Sequence, residues 1–191
     1  VRAISGYRRS ITLSMPNSSP GAWSFVVVGD PAPQGSKTAK GYRGGRIVLV
    51  ESSKRVKPWR DSVVAAAIGA GPCLDGPLVV GMVFALRRPA SARKRDVAPC
   101  RYPDLSKLAR SVEDAITTAG LWADDARVAI YTPLVKAFAG LPVPGLPGIV
   151  VPVPSVIVAC AQLEPGAVVL VQEMLRKEAA NLSALTARYS A

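Results

Sequence analysis

The chain has 191 residues, 49% of them hydrophobic and 19% charged, which is enough apolar material for one core and excludes a disordered basic tail. Its 24 Lys and Arg against 13 Asp and Glu leave a formal charge of +11, a balance that favours a polyanionic partner, nucleic acid or an anionic membrane surface. Histidine is absent, so Ser-His-Asp and Cys-His catalysis, histidine-ligated zinc and phosphohistidine chemistry are excluded, and any acids and bases are carboxylates, lysines, tyrosines or metal-activated water.

In chain order, Val1–Gly21 closes on the breaker cluster Pro16-Asn17-Ser18-Ser19-Pro20-Gly21, so residues 1–22 read as a poorly ordered extension ahead of the fold. Trp23–Gly29 is expected as the first strand. Asp30–Gly45 reads as a loop in which Pro31, Pro33, Gly35, Gly41, Gly44 and Gly45 interleave with Lys37, Lys40 and Arg43, and Arg46 follows it. Flexible backbone with cations suits phosphate tracking, although the glycine spacing matches neither a Walker A loop nor a dinucleotide fingerprint. Ile47–Val50 is a short strand. Ser53–Gly69 follows as a helix with Trp59, Val63, Val64, Ala67 and Ile68 at helical spacing.

Pro77–Leu86 is a Val-rich strand ended by Arg87-Arg88-Pro89, and Ala90–Pro103 is a loop carrying Arg93, Lys94, Arg95 and Arg101. Leu105–Ala119 is the strongest helix: Leu105, Leu108, Val112, Ala115, Ile116 and Ala119 share a face and Gly120 supplies the stop. Val128–Phe138 is a strand interrupted near Pro133 and therefore near a sheet edge. Leu141–Pro154 is an apolar Pro-Gly-Val stretch, and Ser155–Gln162 resumes as a strand. Val168–Arg188 is an amphipathic helix within a terminal segment 164–191, with Leu170, Met174, Leu182 and Leu185 apolar and Glu173, Arg176, Lys177 and Glu178 opposite. The runs 79–86 and 149–161 are too short or too proline-broken to span a bilayer, and no leader pattern is read. Cys73, Cys100 and Cys160 are scattered, which suits a reducing cytoplasm and free thiols.

The segment with chemical content runs Pro103-Asp104-Leu105-Ser106-Lys107-Leu108-Ala109-Arg110-Ser111-Val112-Glu113-Asp114-Ala115-Ile116, then Gly120-Leu121-Trp122-Ala123-Asp124-Asp125-Ala126-Arg127-Val128. Taken alone, Asp104 is a helix cap, Asp124-Asp125 are turn residues, and Trp122 is core. Taken together and in order, they resemble the RusA family of crossover junction endonucleases, whose pattern runs P-D-L-D-K-L, a basic residue, D-A-L, then G-x-W-x-D-D-A-Q-V. The likeness extends over Gly29–Lys37, Trp59-Arg60, the basic run before Pro103 and Lys136, about Trp23 to Gln162, so that 23–163 reads as the nuclease domain.

The resemblance implies an α+β homodimer, a small mixed sheet with helices packed on it, acting in a bacterial or phage-infected cell. It would bind four-way DNA junctions and nick two strands symmetrically with Mg²⁺ or Mn²⁺, hard cations that oxygen ligands hold without histidine. By the same resemblance Asp104, Asp124 and Asp125 are the metal ligands, Arg110 is the basic catalytic residue, and Lys107, Glu113 and Asp114 complete the catalytic candidates. Lys37, Lys40, Arg43, Arg46, Arg87, Arg88, Arg93, Lys94, Arg95 and Arg101 would track phosphates.

One departure stands out, Ser106 where the family has its second Asp. Either Asp104 and Asp125 hold the metal with Ser106 orienting water, or Glu113, Asp114 or Asp124 compensates, or the protein binds junctions without cutting them. An unrelated RNA-binding module is the third class, and no RRM or KH signature supports it. The two-fold symmetry of a junction calls for a dimer, for which the strand and helix beyond Phe138 offer apolar surface. Asp104 and Asp125 flank the helix, so joint action requires them to meet within one subunit or across two.

Overall fold

The computed structural model describes residues 21–35 and 54–189 in full, and only the backbone of 12–13, 37–43 and 46–51. The elements are β1 (Thr12–Leu13), β2 (Ala22–Val28), β3 (Lys37–Arg43), β4 (Arg46–Glu51), α1 (Val56–Ala67), β5 (Leu78–Leu86), α2 (Leu105–Ala119), a 3-10 turn (Asp125–Arg127), β6 (Val128–Phe138), β7 (Ser155–Gln162) and α3 (Ala167–Arg188). Five strands form one mixed sheet in the order β1-β2-β7-β5-β6, and β3 and β4 form a separate hairpin. The expected α+β class with helices on a small mixed sheet is what the chain adopts.

Alternation along the strands builds two cores. Trp23, Phe25 and Val27 of β2, Leu78, Val80, Met82, Phe84 and Leu86 of β5, and Val156, Val158 and Cys160 of β7 face α1 and α2. Their neighbours Ala22 and Val26, Val79, Val83 and Ala85, and Ile157, Ala159 and Ala161 face α3 and the 143–151 stretch. Being covered on both faces explains why β5 reads as an unbroken apolar run rather than an alternating one. At Gly81, a Cβ would stand 2.7 Å from Leu175 and 2.8 Å from Val171, so only glycine lets α3 lie this close to β5.

The connection that positions the site is β5–α2–β6. β5 and β6 are parallel, which requires a crossover, and α2 supplies it. Its end is fixed locally. Gly120 takes a left-handed φ of 76°, its N–H donates to Thr117 O, and Leu121 N–H donates to Ile116 O, a Schellman motif that satisfies the last carbonyls. Trp122 then buries, donating from Nε1 to Thr117 Oγ1 at 2.7 Å, while Leu74 N–H donates to Leu121 O. The turn leading to Asp124 and Asp125 is thereby pinned to the core.

Several expectations change. A short strand at Thr12–Leu13 precedes the one expected first, and the remaining positions of residues 1–20 lie outside the described residues. The expected loop 30–45 contains β3. β6 runs through Pro133 as one edge strand, the irregularity being absorbed as a register shift between Val80 and Met82. Ile68 is exposed rather than packed, because the chain leaves the helix just before it. Leu170 and Leu185 are only partly buried. Glu178, expected on the solvent side of α3, is 2% exposed and accepts from Ser24 Oγ at 2.8 Å. The apolar strand and helix proposed as dimer surface are consumed by the chain itself: β7 is an interior strand and the apolar face of α3 covers the sheet. Among the described residues, no helix is long and apolar enough to cross a membrane.

Candidate active site

The polar stripe of α2 and the neighbouring edge strand β6 run in opposite directions, and two contacts fix their relation. Near the start of β6, Tyr131 donates its phenolic hydrogen to Glu113 Oε1. Farther along, Lys136 Nζ donates to the carbonyls of Arg101, at 2.9 Å, and Pro103, at 3.0 Å, just before the helix begins. Lys136 thus holds the loop that delivers Asp104.

Asp104 occupies the N-cap position with extended backbone, but its side chain makes no cap hydrogen bond. Its carboxylate is exposed and lies 3.4 Å from Lys107 Nζ, so the helix-cap reading fails for the side chain. Ser106 and Arg110 are exposed on the same helix. Glu113 is buried to 7% exposure. Burial lifts its pKa above the usual carboxylate range, the Tyr131 hydrogen bond works against that shift, and the nearby charges of Asp125 and Asp114 reinforce it while Arg110 opposes it. Tyr131 is raised in turn by burial, by its hydrogen bond to Glu113, and by the charges of Glu113 and Asp125. Asp114 points elsewhere and pairs with Arg60 Nη2 of α1 at 3.3 Å.

At the far end, the two turn aspartates divide their tasks. Asp124 caps the 3-10 turn, accepting from Ala126 N–H at 2.8 Å, so its carboxylate is engaged in local structure. Asp125 opens that turn and sits within electrostatic reach of Glu113 and Tyr131. Arg127 is tied to Asp75. The crossover therefore brings Glu113 and Tyr131 into contact, with Asp125 close enough to act on both electrostatically. Asp104 lies nine residues before Glu113, ~14 Å along the helix axis.

Among the described residues, no three carboxylate or thiol side chains converge as a metal-holding group. The trio expected from the resemblance is not assembled within the chain. Glu113 and Asp125 are both carboxylates, the donor type that a hard cation such as Mg²⁺ takes, and Mg²⁺ commonly uses one or two protein carboxylates and fills its octahedron with water and substrate phosphate.

Of the expected phosphate contacts, Arg87 pairs loosely with Asp30 at 3.5 Å, and Lys94, Arg95 and Arg101 are exposed. Arg88 is spent on structure, donating to Arg93 O at 2.7 Å and lying over the Phe138 ring at 5.4 Å. Arg93 pairs with Asp96. The side chains of Lys37, Lys40, Arg43 and Arg46 lie outside the described residues. Reading the sequence missed Tyr131, Arg60 and the clamping role of Lys136. The only signal for Tyr131 was a phenol placed in a mostly aliphatic strand.

A comparison with curated proteins gives no match. The family model described as endodeoxyribonuclease RusA matches residues 29–142, a span that covers α1, β5, α2, the aspartate turn and β6. With more than half of its length matched, this chain belongs to the RusA family of Holliday junction endodeoxyribonucleases.

Proposed function

We propose that the chain resolves four-way DNA junctions by Mg²⁺-dependent hydrolysis, as a homodimer that makes paired, symmetric nicks. The observation that carries this reading is the family match over residues 29–142, the span that holds Asp104, Glu113 and Asp125, the last two within electrostatic reach of each other. Asp125 and Glu113 would hold the ion, with Asp104 of a second copy a candidate to complete the set, since the same chain's Asp104 stands at the other end of the helix. When bound, the ion supplies positive charge that promotes ionisation of the attacking water and stabilises charge on the phosphate. Arg110, exposed one turn before Glu113, acts on Glu113 electrostatically and can neutralise the phosphorane. Tyr131 fixes the orientation of Glu113, and Lys136 fixes the loop entering Asp104.

Ser106 favours a second reading, binding without cleavage, because a hydroxyl replaces a carboxylate there. One gel separates the two: a labelled four-way junction is incubated with wild type and Asp125→Asn, in Mg²⁺ and in EDTA. Paired nicks by wild type in Mg²⁺ only, with Asp125→Asn binding but not cutting, support the nuclease. A retarded but intact junction in every lane supports the binding protein.

A further inference from the structure

A cavity of about 560 Å³ opens between the segment at Asp30 and the Arg87–Pro103 loop. Its size falls in the range of roughly 300–1,000 Å³ typical of small-ligand sites. Leu86 and Phe138 give it an apolar part, and Tyr102 lines it while remaining 73% exposed. Its two carboxylates are already paired, Asp30 with Arg87 and Asp96 with Arg93. Arg55 and Arg101 also line it, and neither has a carboxylate partner among the described residues. The cavity therefore combines apolar surface, an exposed aromatic ring and two cations that have no carboxylate partner among the described residues.

That combination selects among anions. A free phosphate has no use for Leu86, Phe138 or Tyr102, and a duplex is too wide to enter a concavity of this size. An unpaired nucleotide has both parts, a π-face for the phenol ring and a phosphate for the guanidinium groups. We propose that the cavity takes one unpaired nucleotide of the DNA substrate, its base against Tyr102 and its phosphate toward Arg55 and Arg101. Because Tyr102, Pro103 and Asp104 are consecutive, a strand seated there meets the catalytic helix at its first carboxylate. This assignment rests on the DNA-cleaving reading above and adds to it the part of the substrate that is opened.

The test measures fluorescence anisotropy with a labelled oligothymidylate and, separately, with a labelled blunt duplex. Wild type, Tyr102→Ala, Tyr102→Phe and Arg101→Ala are compared, with circular dichroism to confirm folding. Tyr102→Ala is expected to weaken oligothymidylate binding about tenfold, the loss typical of one stacked base. Tyr102→Phe restores it, Arg101→Ala weakens it, and duplex affinity stays unchanged for both tyrosine variants. Undetectable oligothymidylate binding by wild type, no effect of Tyr102→Ala, or an equal loss on the duplex overturns the assignment. The junction gel distinguishes the two readings: Tyr102-dependent binding without cleavage ends the nuclease reading alone, whereas cleavage by wild type without any Tyr102 dependence of binding ends the cavity assignment alone.

Discussion

Lys136→Met tests how the site is positioned. The substitution keeps the aliphatic stem and removes the ammonium that donates to Arg101 O and Pro103 O at 2.9 and 3.0 Å. Hydrogen bonds from a charged group contribute about 1.5–3 kcal/mol each, and this one is only half-buried. At the lower end, the Arg101–Asp104 segment loses about 3 kcal/mol of local restraint. The loss falls on a loop and not on either core, so the melting temperature moves by only a few degrees. Asp104, by contrast, loses its fixed approach, and a displacement of ~1 Å in such a group costs on the order of a hundredfold in rate. Single-turnover cleavage of a labelled junction in Mg²⁺, with binding measured over a salt series, reads both quantities. The expected result is a rate about a hundredfold lower with unchanged affinity and salt slope. Cleavage at the wild-type rate would refute the clamp, and weaker binding with a salt slope reduced by about one would show that Lys136 contacts a phosphate instead.

Ser24→Ala strands the buried Glu178 carboxylate without its donor and should destabilise the fold by about 1–3 kcal/mol, seen as a drop of several degrees in thermal denaturation. The double variant Ser24→Ala with Glu178→Leu should regain most of that loss, because removing both partners leaves no unpaired polar group; a double variant no more stable than Ser24→Ala counts against the pair. Ser106→Asp should raise Mg²⁺-dependent junction cleavage and lower the Mg²⁺ concentration at half-maximal rate, and a fall in cleavage would show that the hydroxyl has its own role. Cys73 and Cys100 are exposed, whereas Cys160 is buried and its thiol is pushed up by burial. A thiol-reactive dye should therefore label the first two quickly and the third only in denaturant, and rapid labelling of Cys160 would contradict the packing of β7.

How much of this was legible follows from the range over which each interaction acts. Leu105–Ala119 and its Gly120 stop were readable because a helix and its end are set by residues a few positions apart. So were Ser155–Gln162 and the edge position of β6, the latter from Pro133. The hairpin strand β3 was not, since Gly41 within it and Gly35, Gly44 and Gly45 around it read as loop and its pairing with β4 resides in the partner. Glu178 was misplaced because its apolar flank belongs to α3 but its hydrogen-bond donor is 154 residues away. Within the site, the motif pointed to Asp104 and Asp125 as residues to examine. What it withheld was their separation, which depends on the direction of the crossover, and the Glu113–Tyr131 contact, which joins two elements that sequence spacing does not relate.

The strand order has a consequence for where this protein can be cut. The family-matched span begins at residue 29 and ends at residue 142, yet β2 finishes at Val28 and β7 starts at Ser155. β7 lies between β2 and β5, so a fragment trimmed to the matched span would lose the middle of its sheet along with one edge. β5 would then carry an open row of amide groups on its β7 side, and Val79, Val83 and Ala85 would face water where α3 now covers them. The stretch that records ancestry is thus not a stretch that folds. A shortened version for biophysical work must keep the distant strand and the closing helix, even though both lie outside the matched span.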